Sequence, residues 1–225
     1  MAPRKQSRGR CVFCGHETTK ASMGKHLLSC VQRQAQIADA QQTKCKPEAL
    51  YHLRVQDAYS SQFWLDLEVR GSATLNDVDD YLRAIWLECC GHMSEFYGSN
   101  RNTLAKSRRV DAVFDKDVEL LHIYDFGTSS ETRIKAIGQR LGVPLTKHPI
   151  VLMARNLMPE AICIECDQPA SYLCMECMIE DGEAGTLCAK HASTHPHEDY
   201  GEPLELVNSP RMGMCGYTGP AEPPY

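Results

Sequence analysis

Residues 63–96 hold the longest regular apolar spacing in the chain and both of its tryptophans, Trp64 and Trp86. Phe63, Leu65, Leu67 and Val69 alternate with Trp64, Asp66 and Glu68, which predicts a strand with one apolar face. Gly71 and Ser72 then supply a turn. Thr74 is placed to cap a helix with Asp77 three residues on, and Leu75, Val78, Leu82, Ile85 and Cys89 fall on one helical stripe. Gly91 is suited to close that helix in a left-handed cap. Alternation predicts further strands at 51–56, 120–126 and 151–155. Residues 132–139 fit a strand better than a helix, although Ile134, Ile137 and Leu141 also match helical spacing. Residues 101–116 are polar and weakly patterned, as expected of a loop. The pattern predicts an α+β fold: a central mixed sheet with a packed helix.

Outside this core the periodicity gives way to cysteine and histidine. Cys11 and Cys14 form a tight pair, and His26 and Cys30 follow four apart, on one helical face. A unit this small cannot hold itself together by burial, so a metal would supply its folding free energy, on the order of 10 kcal/mol. Residues 163–197 carry Cys163, Cys166, Cys174, Cys177, Cys188, His191, His195 and His197, eight soft or borderline ligands, enough for two tetrahedral ions. Three zinc ions are expected in all. Cys45 and Cys215 stand alone in sequence. The central trio Cys89, Cys90 and His92 reads as a packed hinge after the helix, with His92 the member most worth probing.

Composition refines this. Twelve cysteines, no apolar run of membrane-spanning length, and a start, MAPRKQSRGR, without an apolar leader core are expected of a cytoplasmic protein whose thiols bind metal rather than pair as disulfides. The net charge of -5 hides an asymmetry: residues 1–33 carry seven Lys/Arg against one acid, and residues 155–225 carry three against twelve. The start suits a polyanion, with Arg4, Lys5, Arg8, Arg10, Lys20 and Lys25 as candidate nucleic-acid contacts; the end repels one.

The spacing C-x2-C-x11-H-x3-C resembles a C2HC variant of the small zinc finger. The later run of CxxC, CxxC, CxxH and spaced histidines resembles a B-box-type zinc finger. That resemblance implies a cross-brace, with Cys163, Cys166, Cys188 and His191 on one zinc and Cys174, Cys177, His195 and His197 on the other. It also implies protein contacts rather than catalysis. The middle of the chain, about 49–155, looks like the plasmid pRiA4b ORF-3-like domain family, to which proteins carried by insertion sequences belong. The match is carried by Trp64, Gly71, Thr74, Leu75, His92, Phe96 and the YDFG run Tyr124, Asp125, Phe126, Gly127. It implies the α+β fold and no established reaction. After YDFG, Thr128 to Glu131 depart from the family's usual continuation.

The expected organisation is therefore a basic finger and helical linker at 1–45, the α+β domain at 46–158, a two-zinc module at 159–200 and a Pro/Gly-rich tail at 201–225. The expected function is a non-enzymatic zinc-binding accessory protein, nucleic-acid-associated through its first finger and protein-binding or self-associating through its last module. A scaffold without nucleic-acid binding is the alternative. An enzyme would have to draw on Cys90, His92, Glu95, His122, Tyr124 and Asp125, with His92, Tyr124 and Asp125 as the candidate core site. No phosphate-cradling glycine loop, GxSxG or HExxH run accompanies them.

Overall fold

A computed structural model describes residues 6–114, 118–197 and 199–225. The alternation at 51–56 becomes strand β3 (Glu48–Asp57), following β1 (Arg8–Cys11), β2 (Glu17–Thr19), α1 (Lys20–Ser29) and α2 (Val31–Gln41). Next come β4 (Trp64–Arg70) and α3 (Leu75–Leu82). Thr74 and Asp77 form the expected capping box, each side chain taking the other's backbone N–H. Beyond Leu82 the helix widens into a π turn, Arg83–Leu87, and ends at an extended Glu88. Gly91 does adopt φ +76°, but in the loop past that end rather than as the helix cap. Strands β5 (Ser94–Tyr97), β6 (Thr103–Leu104), β7 (Glu119–Tyr124), β8 (Ser130–Gly142) and β9 (Ile150–Asn156) complete the central layer.

Among the described residues the sheet has nine strands, in the order β2-β1-β9-β4-β3-β8-β7-β5-β6. All its pairings are antiparallel, where a mixed sheet was expected. A parallel pair needs a long crossover back to the same edge, and the helix-bearing connection from β4 leads instead to β5, on the far side of β3, β8 and β7. Residues 132–139 lie inside the long strand β8, as the alternation favoured.

One face of the sheet packs on α3 and the π turn, burying Leu75, Val78, Leu82, Ile85 and Trp86. The weakly patterned 101–116 stretch contributes Val110, Val113 and Phe114 to the same core. The opposite face is covered too. Trp64 packs with Cys11, Met23, Leu27, Cys30, Met153 and Ala154, so the N-terminal cysteine unit sits on the sheet, with β1 paired to β9. Asp66 and Glu68, which alternation placed outward, are consequently buried. Asp66 is held by Arg54, and Glu68 by Arg33 and Arg140.

A second, three-stranded sheet, β10 (Tyr172–Leu173), β11 (Thr186–Leu187) and β12 (Leu204–Glu205), carries two short helices, α4 (Met175–Ile179) and α5 (Ala189–Ala192). The tail returns to the central layer: Ser209, Arg211, Tyr217 and Ala221 are buried. Asn208 and Asn156 exchange hydrogen bonds, fastening the module's exit beside its entry.

Candidate metal centres

With Zn–S near 2.3 Å and Zn–N near 2.0–2.1 Å, a tetrahedron has S···S edges of about 3.8 Å, S···N edges of about 3.6 Å and N···N edges of about 3.3 Å. Among the described residues four groups of side chains approach these edges, each offering four ligand atoms that lie within 4.8 Å of one another. Eleven of the twelve cysteines belong to them; Cys45 is the exception, and it is exposed.

In the first group, the turn after β1 presents Cys11 and Cys14, while α1 and its end present His26 and Cys30. Cys11 Sγ lies 4.0 Å from Cys30 Sγ, and Cys14 Sγ lies 3.3 Å from His26 Nε2. Thr19 starts α1 by accepting from the Ser22 N–H, which aims His26 back at the turn. Of the candidate nucleic-acid contacts, Lys20 turns inward to donate to Gln56 Oε1 at 2.6 Å, and burial lowers its pKa. Arg10 pairs with Glu17. Arg8 and Lys25 are exposed. Arg4 and Lys5 lie outside the described residues.

The C-terminal module builds two groups that interleave along the chain. Cys163, Cys166, Cys188 and His191 converge, with Cys163 Sγ 3.2 Å from His191 Nδ1 and Cys166 Sγ 3.9 Å from Cys188 Sγ. Burial opposes ionisation of Cys163, but the Cys188 backbone N–H, His191 and the Glu165 N–H outweigh it and bring the thiol down to about 6. Cys174, Cys177, His195 and His197 form the other group. His197 Nδ1 lies 3.2 Å from Cys177 Sγ and 3.7 Å from Cys174 Sγ, and His195 Nε2 lies 3.2 Å from Cys177 Sγ. His195 Nδ1 is 2.8 Å from Glu165 Oε1, the arrangement that orients a ligating imidazole. Glu165 sits between Cys163 and Cys166, so the two groups are joined through it. A groove of about 710 Å³ runs past His195 and His197, bounded by Tyr172, Gly201 and Pro203.

The candidate core residues His92, Tyr124 and Asp125 are also brought together. His92 Nε2 is 3.5 Å from Asp125 Oδ2, and the Tyr124 hydroxyl accepts from the His92 N–H at 3.3 Å. They stand beside Cys89, Cys90 and, from the far end of the chain, Cys215, whose sulfur lies 3.6 Å from that of Cys90. Cys215 thus has partners that its sequence neighbourhood does not show, and WLECCGH is more than a packed hinge. Cys89 is only partly buried, at the rim of the helical stripe rather than inside it.

The other enzyme candidates are engaged elsewhere. Glu95 accepts from the Tyr97 hydroxyl at 2.6 Å. His122 is wholly buried, its Nε2 2.7 Å from Asp79 Oδ1 and its Nδ1 3.3 Å from Thr132 Oγ1. Asp79 also receives Ser94, Lys106 and Arg83. Burial alone would raise the Asp79 pKa; His122, Lys106 and Ser94 together hold it far below the ordinary carboxylate range. Asp79, Ser94 and Lys106 escaped the sequence reading. An acid on the apolar stripe, four residues after Leu75, was the available signal. The donors and acceptors of this set satisfy one another inside the core, which makes it an interior lock.

No protein-family model matches the chain, and no curated protein matches it. A solved structure of a protein of unknown function from Methanosarcina mazei Go1 is similar over 48% of this chain and 69% of that one, at 18% identity and a TM-score of 0.43. Fold and site together define the class: an α+β protein bearing Cys/His clusters compatible with zinc binding. Among the described residues no helix is long and apolar enough to cross a membrane.

Proposed function

We propose that the chain is a non-enzymatic zinc-binding protein whose acidic C-terminal module docks a basic partner segment, supplied by the N-terminal stretch of a second copy of the chain. The contrast between the two ends carries this reading. The N-terminal cluster is spent on the sheet, around Trp64, whereas the C-terminal module turns Ile162, Ile164 and Ile179 to solvent, each at least 36% exposed. Of the three cations in residues 155–225, Arg211 is buried and Arg155 partly buried in the core contact, their side chains 0% and 16% exposed. The exposed module surface is therefore acidic as well as apolar, which suits a basic partner segment. Thiolate and imidazole sets favour zinc, and four protein ligands per ion leave no open position for chemistry. The B-box-like cross-brace and the pRiA4b ORF-3-like resemblance of residues 49–155, with its link to mobile elements, belong to the same proposal.

Light scattering of the zinc-loaded full chain tests it. The expected result is a mass above the monomer at low salt that falls to monomer at high salt and in an Ile162→Asp, Ile179→Asp double variant. Fluorescence polarisation with a labelled peptide of residues 1–7, which precede β1, should show saturable, salt-sensitive binding. A monomer at every salt concentration that also ignores the peptide overturns the reading.

Exposed Arg8 and Lys25 support a second reading, nucleic-acid contact through the N-terminal unit. Each phosphate contact would steepen the salt dependence of binding. Absence of polarisation change with labelled duplex DNA or single-stranded RNA at low salt, or binding indifferent to Arg8→Gln and Lys25→Gln, removes it.

A further inference from the structure

We propose that Cys89, Cys90, His92 and Cys215 hold a fourth zinc, which staples the C-terminal segment to the central domain. All four ligand atoms lie within 4.8 Å of one another, and three of the separations are within about 0.2 Å of tetrahedral edges, the Cys90–His92 one being shorter. Cys90 Sγ lies 3.6 Å from Cys89 Sγ and 3.6 Å from Cys215 Sγ, while His92 Nε2 lies 2.9 Å from Cys90 Sγ and 3.4 Å from Cys215 Sγ. A plain Cys90–Cys215 disulfide would bring those sulfurs to about 2.05 Å and leave His92 without a reason to face both of them.

The backbone is shaped for the purpose on both sides. The π turn ends at an extended Glu88, and Gly91 at φ +76° folds the next residues back so that Cys89, Cys90 and His92 face one point. On the tail, Gly213, Cys215 and Gly216 all have positive φ, at 77°, 51° and 68°. Cys215 is not a glycine, so this left-handed conformation is an unfavourable one, held by the surrounding contacts.

Around the ligands stands a supporting shell. Arg211, fully buried, places Nη2 3.4 Å from Cys89 Sγ and 2.6 Å from Asp125 Oδ2, and its guanidinium lies 4.8 Å from the centre of the Tyr124 ring. The Tyr124 hydroxyl is 3.7 Å from Cys89 Sγ and donates to Glu88 at 3.0 Å. Three thiolates, one neutral imidazole and one Zn²⁺ carry a net single negative charge, which a neighbouring guanidinium stabilises. The candidate core residues Tyr124 and Asp125 thereby take the role of second neighbours to a metal.

The link joins positions 125 residues apart. The two-metal module lies between them in sequence, and the metal would fix the segment by which its chain returns to the core, beyond the Asn156–Asn208 fastening. Two of the ligands, Cys90 and Cys215, are exposed, whereas the terminal groups bury most of their sulfurs. The fourth ion should therefore exchange fastest.

This site is independent of the three terminal ones, and two readouts on the full chain separate them. Elemental analysis should give four zinc ions per wild-type chain and three in both Cys90→Ser and Cys215→Ser. The Co²⁺-substituted variants should each lose part of the thiolate-to-cobalt absorption. Thiol labelling of zinc-loaded wild type, which needs no variant to fold, should find one fast-reacting cysteine, Cys45. Fast labelling of Cys90 and Cys215 as well, with the eight cysteines of the terminal clusters protected, overturns the fourth site and leaves the terminal sites standing. A denatured mass lower by two hydrogens, restored by reductant, would assign Cys90 and Cys215 to a disulfide and overturn it equally.

Discussion

Arg33 Nη2 on α2 lies 2.8 Å from Glu68 Oε2 on β4, and both side chains are under a tenth exposed. Arg140 of β8 reaches the same carboxylate from the other side, at 2.6 and 2.9 Å. One acid in the sheet thus anchors the helix that follows the N-terminal cysteine unit. Removing it would leave two arginines facing each other in the layer. Glu68→Ala should cost about 3–5 kcal/mol, and Arg33→Met markedly less, because Arg140 still neutralises the acid. Urea unfolding of the two variants checks the order.

Trp64 is wholly buried beneath the first cysteine cluster, and its indole N–H donates to Ser7 Oγ at 2.8 Å. Disabling that cluster, by Cys14→Ser or by chelation, should expose Trp64 and shift tryptophan emission to the red. Trp86, on the α3 side of the sheet, reports on the other core. A Trp64→Phe chain should therefore lose most of the shift that Cys14→Ser produces.

Gly9 marks the closest approach of β1 to its neighbours. A Cβ there would collide with the Arg155 carbonyl oxygen and with the Trp64 ring, both fixed by the sheet. Gly9→Ala should destabilise the chain by about 1–3 kcal/mol, the usual cost of overpacking. The same change at Gly182, whose Cβ would meet nothing within 4 Å, carries only the strain of its positive φ and should cost less. Paired thermal melts of the two variants decide this.

Burial lowers the pKa of His122, with Asp79 opposing. A depressed folded-state pKa means the unfolded chain takes up the proton first. The stability that neutral His122 contributes is thus complete above the unfolded value of about 6.5 and is lost as the pH falls from there through the folded value. Measured against a His122→Gln chain, which cancels any common effect of acid on metal binding, wild-type stability should decline as the pH falls below about 6.5. A pH-independent difference would contradict the assignment.

Local chemistry was legible in the residues because it is decided within a few positions. The Thr74–Asp77 capping box, the strand alternation at 51–56, and the pairing of Cys11 with Cys14 or Cys163 with Cys166 each depend on spacing inside one turn or one strand. Period-two patterning also named the faces of β4, yet it could not say that both faces would be covered. That required the N-terminal unit to fold over the sheet, which turned Asp66 and Glu68 from surface acids into buried anchors.

By itself, then, the sequence determined the α+β class, the main strands and the helix start, and the ligand pairs that lie within one knuckle or one helix face. Only the tertiary structure decided which distant pairs meet. Cys215 reaches Cys90 because Arg211, Ser209 and Tyr217 bury the tail against the central layer. Asp79 on α3 meets His122 on β7 because the helix packs in one core with that face of the sheet. Such contacts are set by how surfaces cover one another across 43 and 125 residues of chain, and no periodicity along the chain records that.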